Sequence, residues 1–295
     1  MPKTERWQWY VERFSPSEEH HHAIEEFYYA GRTSYQDVGV IRTPVFGKML
    51  VLDGDTQSSQ VDEKIYHEAL VHPALAAARD RSQILILGGG EGATLREVLR
   101  CQDVERVTMV DIDGQVVELS KKYLPEWSDG AFDDARARVV IGDAVRFLNE
   151  DTAKYGAIIS DLTEPLEDSP SHPLFCAPVF SAIKARLSEG GIYVLQASTA
   201  GVHNCALHAK MARTLRKHYR FVRSFYTHVP AFDNDWAFIS CSDALDVALL
   251  DEATIDGYVT GLRGKNFFYD AQTHRRLFAL PLYLRRELEK PGDTF

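Results

Sequence analysis

A chain of 295 residues, 45% hydrophobic and 26% charged, is long enough for one or two domains around a large core and has the balance of a soluble globular protein. Its formal net charge of −10 disfavours a nucleic-acid binder, because phosphate binding rests on clustered Lys and Arg, and it permits a cationic substrate. No apolar run reaches the length of a membrane span, the opening MPKTERWQWY is too polar for a signal peptide, and Cys101, Cys176, Cys205 and Cys241 form no CxxC pair, so the chain reads as a cytoplasmic protein with free thiols and no metal site.

The first 60 or so residues read as β-rich. Val38 and Val40 alternate with polar neighbours, an apolar run covers Phe46 to Leu52, and Asp53-Gly54 is a hairpin signal. The expectation is a small antiparallel β-domain over 1–62. Tyr66 to His72 then reads as a helix that either stops near Pro73 or carries Pro73 in its body. From there, apolar strands at 83–88, 106–111, 138–141, 155–160 and 190–196 alternate with helical patterns at 93–101, 114–123, 144–150 and 178–187. That alternation predicts βαβ units and a mostly parallel sheet within 63–295. A helix at 204–217 leads to strands 221–227 and 235–241, which are expected to pair antiparallel at one edge.

The strand at 83–88 runs into Gly88-Gly89-Gly90-Glu91-Gly92 and opens a helix. Such a turn lets a nucleotide-like ligand approach the backbone. Glu91 would repel a pyrophosphate, so the expected ligand is cationic. Asp111 follows about 20 residues later, where a ribose hydroxyl pair is read. In an open parallel sheet the ligand sits beyond the carboxyl ends of the strands. Those ends carry Glu91, then Asp111 and Asp113, then Gly142-Asp143-Ala144, then Asp161 to Pro165, then Gln196. Each has a plainer reading. Glu91 suits the first turn of a helix, Asp143 an N-cap and Asp161 a turn. Together they favour a site in which Asp111 accepts from a ribose, and Asp143 from an adenine amino group with the Ala144 N–H facing the ring. This is the arrangement of AdoMet-type enzymes.

The ordered set Tyr35-Gln36-Asp37, Gly47 to Gln57, Asp62 to Glu68, GGGEG, Val110 to Asp113, Gly142-Asp143-Ala144, Asp161 to Pro165, Gln196, Tyr226 to Pro230 and His274 to Pro281 resembles the polyamine aminopropyltransferases, the spermidine synthase family. The resemblance spans nearly the whole chain. It implies a small N-terminal β-domain followed by a Rossmann-like domain of the AdoMet-methyltransferase type. It implies decarboxylated AdoMet as a co-substrate, no cofactor, a polyamine acceptor and a homodimer or homotetramer. Carried over by position, Gln36, Gln57, His67, Glu91, Asp111, Asp143 and Ala144 would hold the donor. Asp161 would be the general base, and Tyr66, Glu164, Gln196 and Tyr226 would line the acceptor channel. His67 stands where many relatives have Gln.

Relatives with a diamine acceptor usually read Asp-Ser-Ser/Thr-Asp-Pro and then a short Gly-Pro loop. Here the segment is Asp161-Leu162-Thr163-Glu164-Pro165 and a longer loop containing Glu167 and Asp168. This is similar to thermospermine synthases and to the agmatine-using enzymes of thermophilic bacteria, and Asn234 to Phe238 is similar to the Asp-Thr-Trp-Gly of thermospermine synthases. Spermidine is the favoured acceptor, with putrescine and agmatine as alternatives. A methyltransferase using intact AdoMet and a non-catalytic polyamine-binding protein are the rival readings. Glu167 and Asp168 read either as partners for a further amine or as solvated charges, and the loop itself as a mobile lid.

Overall fold

The computed structural model describes residues 7–165, 169 and 171–295, so Glu167, Asp168 and the expected lid about them lie outside the described residues. The N-terminal region contains two antiparallel sheets. The hairpin β1 (Gln8–Ser15) and β2 (Glu18–Ile24) stands beside a four-stranded sheet of β3 (Glu26–Arg32), β4 (Asp37–Thr43), β5 (Gly47–Leu52) and β6 (Asp55–Ser59) in sequential order. Alternation along β4 and β5 explains the apolar run. Val38, Val40, Leu50 and Leu52 pack towards Ala93, Val116 and Trp127 of the larger domain, while Ile41, Met49 and Val51 pack on the other side with Ile24. Asp53 and Gly54 both adopt positive φ, 50° and 93°, as a two-residue hairpin with a right-handed twist requires.

The chain then enters α1 (Glu63–Ala77), which continues through Pro73 rather than stopping there. Pro73 forgoes one helical hydrogen bond, and the helix is buried on nearly every side, including Leu70, Val71, Ala74 and Leu75. Next come β7 (Gln83–Gly88), α2 (Ala93–Leu99), β8 (Arg106–Asp111), α3 (Gly114–Tyr123), α4 (Pro125–Ser128), β9 (Ala137–Ile141), α5 (Ala144–Glu150), β10 (Tyr155–Asp161), α6 (Ala177–Arg186), β11 (Leu187–Thr199), α7 (Ala206–Leu215), β12 (Phe221–Val229) and β13 (Asn234–Ser242). Helices α8 (Glu252–Thr260), α9 (Ala271–Phe278) and α10 (Leu282–Glu289) close the chain. The seven-stranded sheet has the order β12-β13-β11-β10-β7-β8-β9. Its five middle and outer strands from β11 to β9 are parallel, and β13 and β12 add antiparallel at the far edge. Both faces are covered. Ile84, Ile86, Val107 and Met109 pack beneath α1 and α2, and Leu85, Leu87 and Val110 pack towards α5, α6 and α7, which is why these strands read as unbroken apolar runs.

Strand order reverses between β7 and β10. β7, β8 and β9 step outward one way, and β10 and β11 step the other. The crevice beyond the carboxyl ends of β7 and β10 is therefore the topological switch point, where open α/β sheets take their ligands. Gly88 and Asp161 are cross-strand partners at that point, and Gly89 N donates to Asp161 O at 2.9 Å. Gly88 has φ +81°, and a Cβ there would lie 2.2 Å from Asp161 O. Glycine at this position permits both the turn and its close approach to β10.

Candidate active site

A cavity of about 750 Å³ opens at the switch point. It is lined by the glycine turn and the ends of β8, β10 and β11, and is roofed by residues of the N-terminal sheets. Its size falls in the range of small-molecule sites. Asp161, the last residue of β10, is held from two sides. The Tyr66 hydroxyl donates to Oδ1 at 2.8 Å, and the Thr94 hydroxyl of α2 donates to Oδ2 at 2.5 Å. Burial, and then the Asp161 carboxylate beside it, keep Tyr66 far above the ordinary phenol range. It stays a hydrogen-bond donor.

On the β8 and β9 side, Asp111, Asp143, Ala144, Gln36 and Gln57 all line the cavity. Asp111 Oδ1 accepts from Asp113 N at 2.8 Å, and burial raises the Asp111 carboxyl to about 6. Asp143 fills the plainer role as well, capping α5 through Oδ1 to Val145 N and Arg146 N at 2.6 and 3.1 Å. Gln36 is tied to the segment after β8, its Nε2 donating to Asp113 Oδ2 at 3.1 Å, where Thr33 Oγ1 also donates at 2.6 Å. Asp113 meanwhile caps α3, so a single carboxylate anchors a helix and ties it to the segment between β3 and β4.

The opposite side is strongly acidic. Glu164 lines the cavity and accepts a short hydrogen bond from the Ser198 hydroxyl, and burial pushes its carboxyl up. Glu12, Asp53 and Asp55 reach the same cavity from the N-terminal strands. Partial burial, then Glu12 and Glu164, raise Asp55 to about 6. Arg13 and Arg32, the arginines of the lining among the described residues, pair with Glu19 and Asp37. Gln196 lines the cavity, but both ends of its amide are engaged. Nε2 donates to Leu162 O at 2.7 Å and Oε1 accepts from Ser198 N at 3.0 Å. It therefore braces the segment after Asp161. β11 runs three residues beyond Gln196 and carries Ser198 at φ 62°, a strained conformation for a non-glycine residue beside the site.

Two expected residues are not at the cavity wall. Tyr226 lies on β12, the edge strand, and packs among the residues under α7 and α10 while its neighbour Phe225 faces the other core. The aromatic lining of that quarter comes instead from Phe232, on the short turn Pro230–Phe232, and from Trp236 of β13, with ring centroids 4.8 Å apart. His67 is only 1% exposed and sits behind Glu91, its Nε2 2.6 Å from Glu91 Oε1. It does not line the cavity. Sequence reasoning missed Thr94, Phe232 and Trp236, and the acids Glu12, Asp53 and Asp55. Among the described residues, no group of three or more His, Cys, Asp or Glu side chains could hold a metal, and no helix is long and apolar enough to cross a membrane.

Residues 63–251 match the spermine/spermidine synthase domain, and residues 8–60 match the spermidine synthase tetramerisation domain. The chain belongs to the spermidine synthase family. A polyamine aminopropyltransferase of Sulfolobus acidocaldarius is 42% identical over 96% of this chain and 94% of its own length. Polyamine aminopropyltransferase 2 of Hyperthermus butylicus is 41% identical over 97% and 94%. Among solved structures, a spermidine synthase in complex with the transition-state analogue AdoDATO superposes with a TM-score of 0.89 at 26% identity, covering 95% of this chain and 94% of that one. The spermidine synthase of Thermotoga maritima gives 0.86 at 26% identity with the same coverage. The enzyme is thus an aminopropyltransferase, and the acidic cavity at the switch point is where the transfer has to be explained.

Proposed function

We propose that the enzyme moves the aminopropyl group of decarboxylated AdoMet to a triamine, with spermidine as acceptor and thermospermine as product. The observation that carries the acceptor assignment is the acidic wall beyond Asp161. Glu164, Asp55, Asp53 and Glu12 line it, and Arg13 and Arg32 of the lining are paired with Glu19 and Asp37. Such a wall suits an acceptor with several separated ammonium groups better than a short diamine.

In this reading Asp111 accepts from the ribose hydroxyls, while Asp143 and Ala144 meet the adenine. Gln36 and Gln57 flank the nucleoside, and Glu91 pairs the ammonium of the aminopropyl arm. Intact AdoMet carries a carboxylate that Glu91 would repel, which argues against methyl transfer. The acceptor amine reaches the site protonated and must be neutral to attack. Asp161 takes that proton, with Tyr66 and Thr94 fixing its orientation. The amine nitrogen then forms a bond to the arm carbon next to sulfur. The C–S bond breaks with its electron pair going to sulfur, and the sulfonium becomes the neutral thioether methylthioadenosine. Alignment of amine, carbon and sulfur contributes up to about 7–11 kcal/mol in the best cases.

The rest of the reading follows the family. Residues 1–62 form the N-terminal domain and 63–295 the catalytic domain. The assembly is a homodimer or homotetramer built through the N-terminal sheets, working in the cytoplasm. Calorimetric titration of the enzyme–methylthioadenosine complex tests the acceptor. Spermidine is expected to bind at least about tenfold more tightly than putrescine or agmatine, since a hydrogen bond to a charged group contributes about 1.5–3 kcal/mol. Equal or tighter binding of putrescine or agmatine would remove the triamine assignment and leave aminopropyl transfer intact.

A further inference from the structure

We infer that His67 is a doubly protonated imidazolium that positions Glu91 and keeps it ionised beside Asp161, and so acts on donor binding without touching either substrate. The inference deepens the reading of Glu91 as the partner of the donor's ammonium and rests on it.

The geometry leaves His67 only acceptors. Nδ1 is 2.6 Å from Glu63 O and 3.2 Å from Glu63 Oε2, so it carries a hydrogen. Nε2 is 2.6 Å from Glu91 Oε1 and 3.9 Å from Asp161 Oδ2, and makes no aligned hydrogen bond among the described residues. A neutral ring would present a lone pair to carboxylates at one of these nitrogens, inside a site where the imidazole is 1% exposed, and that repulsion is costly in a low dielectric. The Glu91 contact is close but not aligned as a hydrogen bond, so charge rather than hydrogen-bond direction holds it.

The charged groups around His67 come from four elements. Glu63 lies on α1, one turn earlier, beside Tyr66. Glu91 comes from the glycine turn, Asp161 from the end of β10, and Arg96 of α2 neutralises Glu63 through contacts at 2.7 and 3.1 Å. With Arg96 committed to Glu63, His67 is the one cation left to face both Glu91 and Asp161 among the described residues. Burial opposes charge on His67, but Glu91, Glu63 and Asp161 outweigh it and hold the ring well above the ordinary histidine range. Burial in turn raises Glu91, with His67 as the main opposing charge.

Two measurements test this. In the unliganded wild-type enzyme, nitrogen NMR of labelled histidine is expected to show both His67 ring nitrogens protonated at pH 7.5. A neutral tautomer there would overturn the inference whatever the role of Glu91. In His67→Gln, the amide can still donate to Glu91 but brings no charge, so Glu91 protonates at higher pH. The acidic limb of kcat/KM for the donor should then move upward by about 1–3 pH units, the usual effect of an opposite charge at this range. The variant should lose at least tenfold at the acid side and converge on wild type above pH 9. A uniform loss at all pH values, or an unmoved limb, would make His67 a structural residue and overturn the inference.

Discussion

Asp161→Asn is expected to lower kcat by about 10²–10⁴-fold, the usual contribution of a positioned general base, while methylthioadenosine binds within a few-fold of wild type. Asparagine keeps the size of the side chain and can still accept from Tyr66, so the fold about the switch point is preserved. It cannot take a proton. The residual reaction must then draw on acceptor already deprotonated by solvent, and an alkyl amine titrates near pH 10, as lysine does. The variant's rate should therefore climb about tenfold per pH unit between pH 7 and pH 9, a steeper rise than the one expected of the wild type. Single-turnover release of methylthioadenosine measures both quantities. Full activity in the variant would exclude Asp161 as the base. A loss of methylthioadenosine binding as large as the loss in rate would mean that Asp161 shapes the site rather than serving the proton transfer.

Glu91→Gln addresses the donor. The carboxylate is 9% exposed inside the glycine turn, and pairing with an ammonium there contributes on the order of 1.5–3 kcal/mol. The variant's KM for decarboxylated AdoMet should rise about 10- to 100-fold. Methylthioadenosine lacks the aminopropyl arm and should bind unchanged. The pH dependence fixes the sign. Burial holds Glu91 above the usual carboxylate range, so it is charged at high pH and loses its charge as pH falls. The wild-type donor KM should therefore increase towards acid pH, whereas the variant's KM should stay level because its amide does not titrate. Intact AdoMet, freed from repulsion between two carboxylates, should gain affinity relative to decarboxylated AdoMet. Parallel loss of donor and methylthioadenosine binding would contradict the assignment.

The parts of this architecture that were legible beforehand are those written in local periodicity and turn chemistry. Gly88 to Gly92, the apolar strands and the Asp53-Gly54 hairpin depend on residues next to one another in the chain, and the strand ends place Asp111, Asp143, Asp161 and Gln196 at one rim by topology alone. What was not legible depends on register and packing. Which core each side chain of edge strand β12 meets is set by its pairing with β13, so the packing of Tyr226 under α7 and α10, and the place of Phe232 in the cavity lining, are not written in local sequence. Thr94 reaches Asp161 only because α2 starts at the glycine turn. Glu12 and Asp55 reach the cavity only because the N-terminal strands fold over it. For His67 a signal was present. Adjacent residues on a helix point about 100° apart, so with Tyr66 facing the cavity His67 had to face elsewhere, and the acid awaiting it was Glu91.

Product analysis under competition tests the central claim most directly. Equimolar spermidine, putrescine and agmatine are offered together with decarboxylated AdoMet, and the products are separated by chromatography. The account predicts one methylthioadenosine released per aminopropyl group transferred, with thermospermine as the first and dominant product. Consumption of putrescine or agmatine ahead of spermidine, or methyl transfer from intact AdoMet in place of methylthioadenosine release, would contradict it.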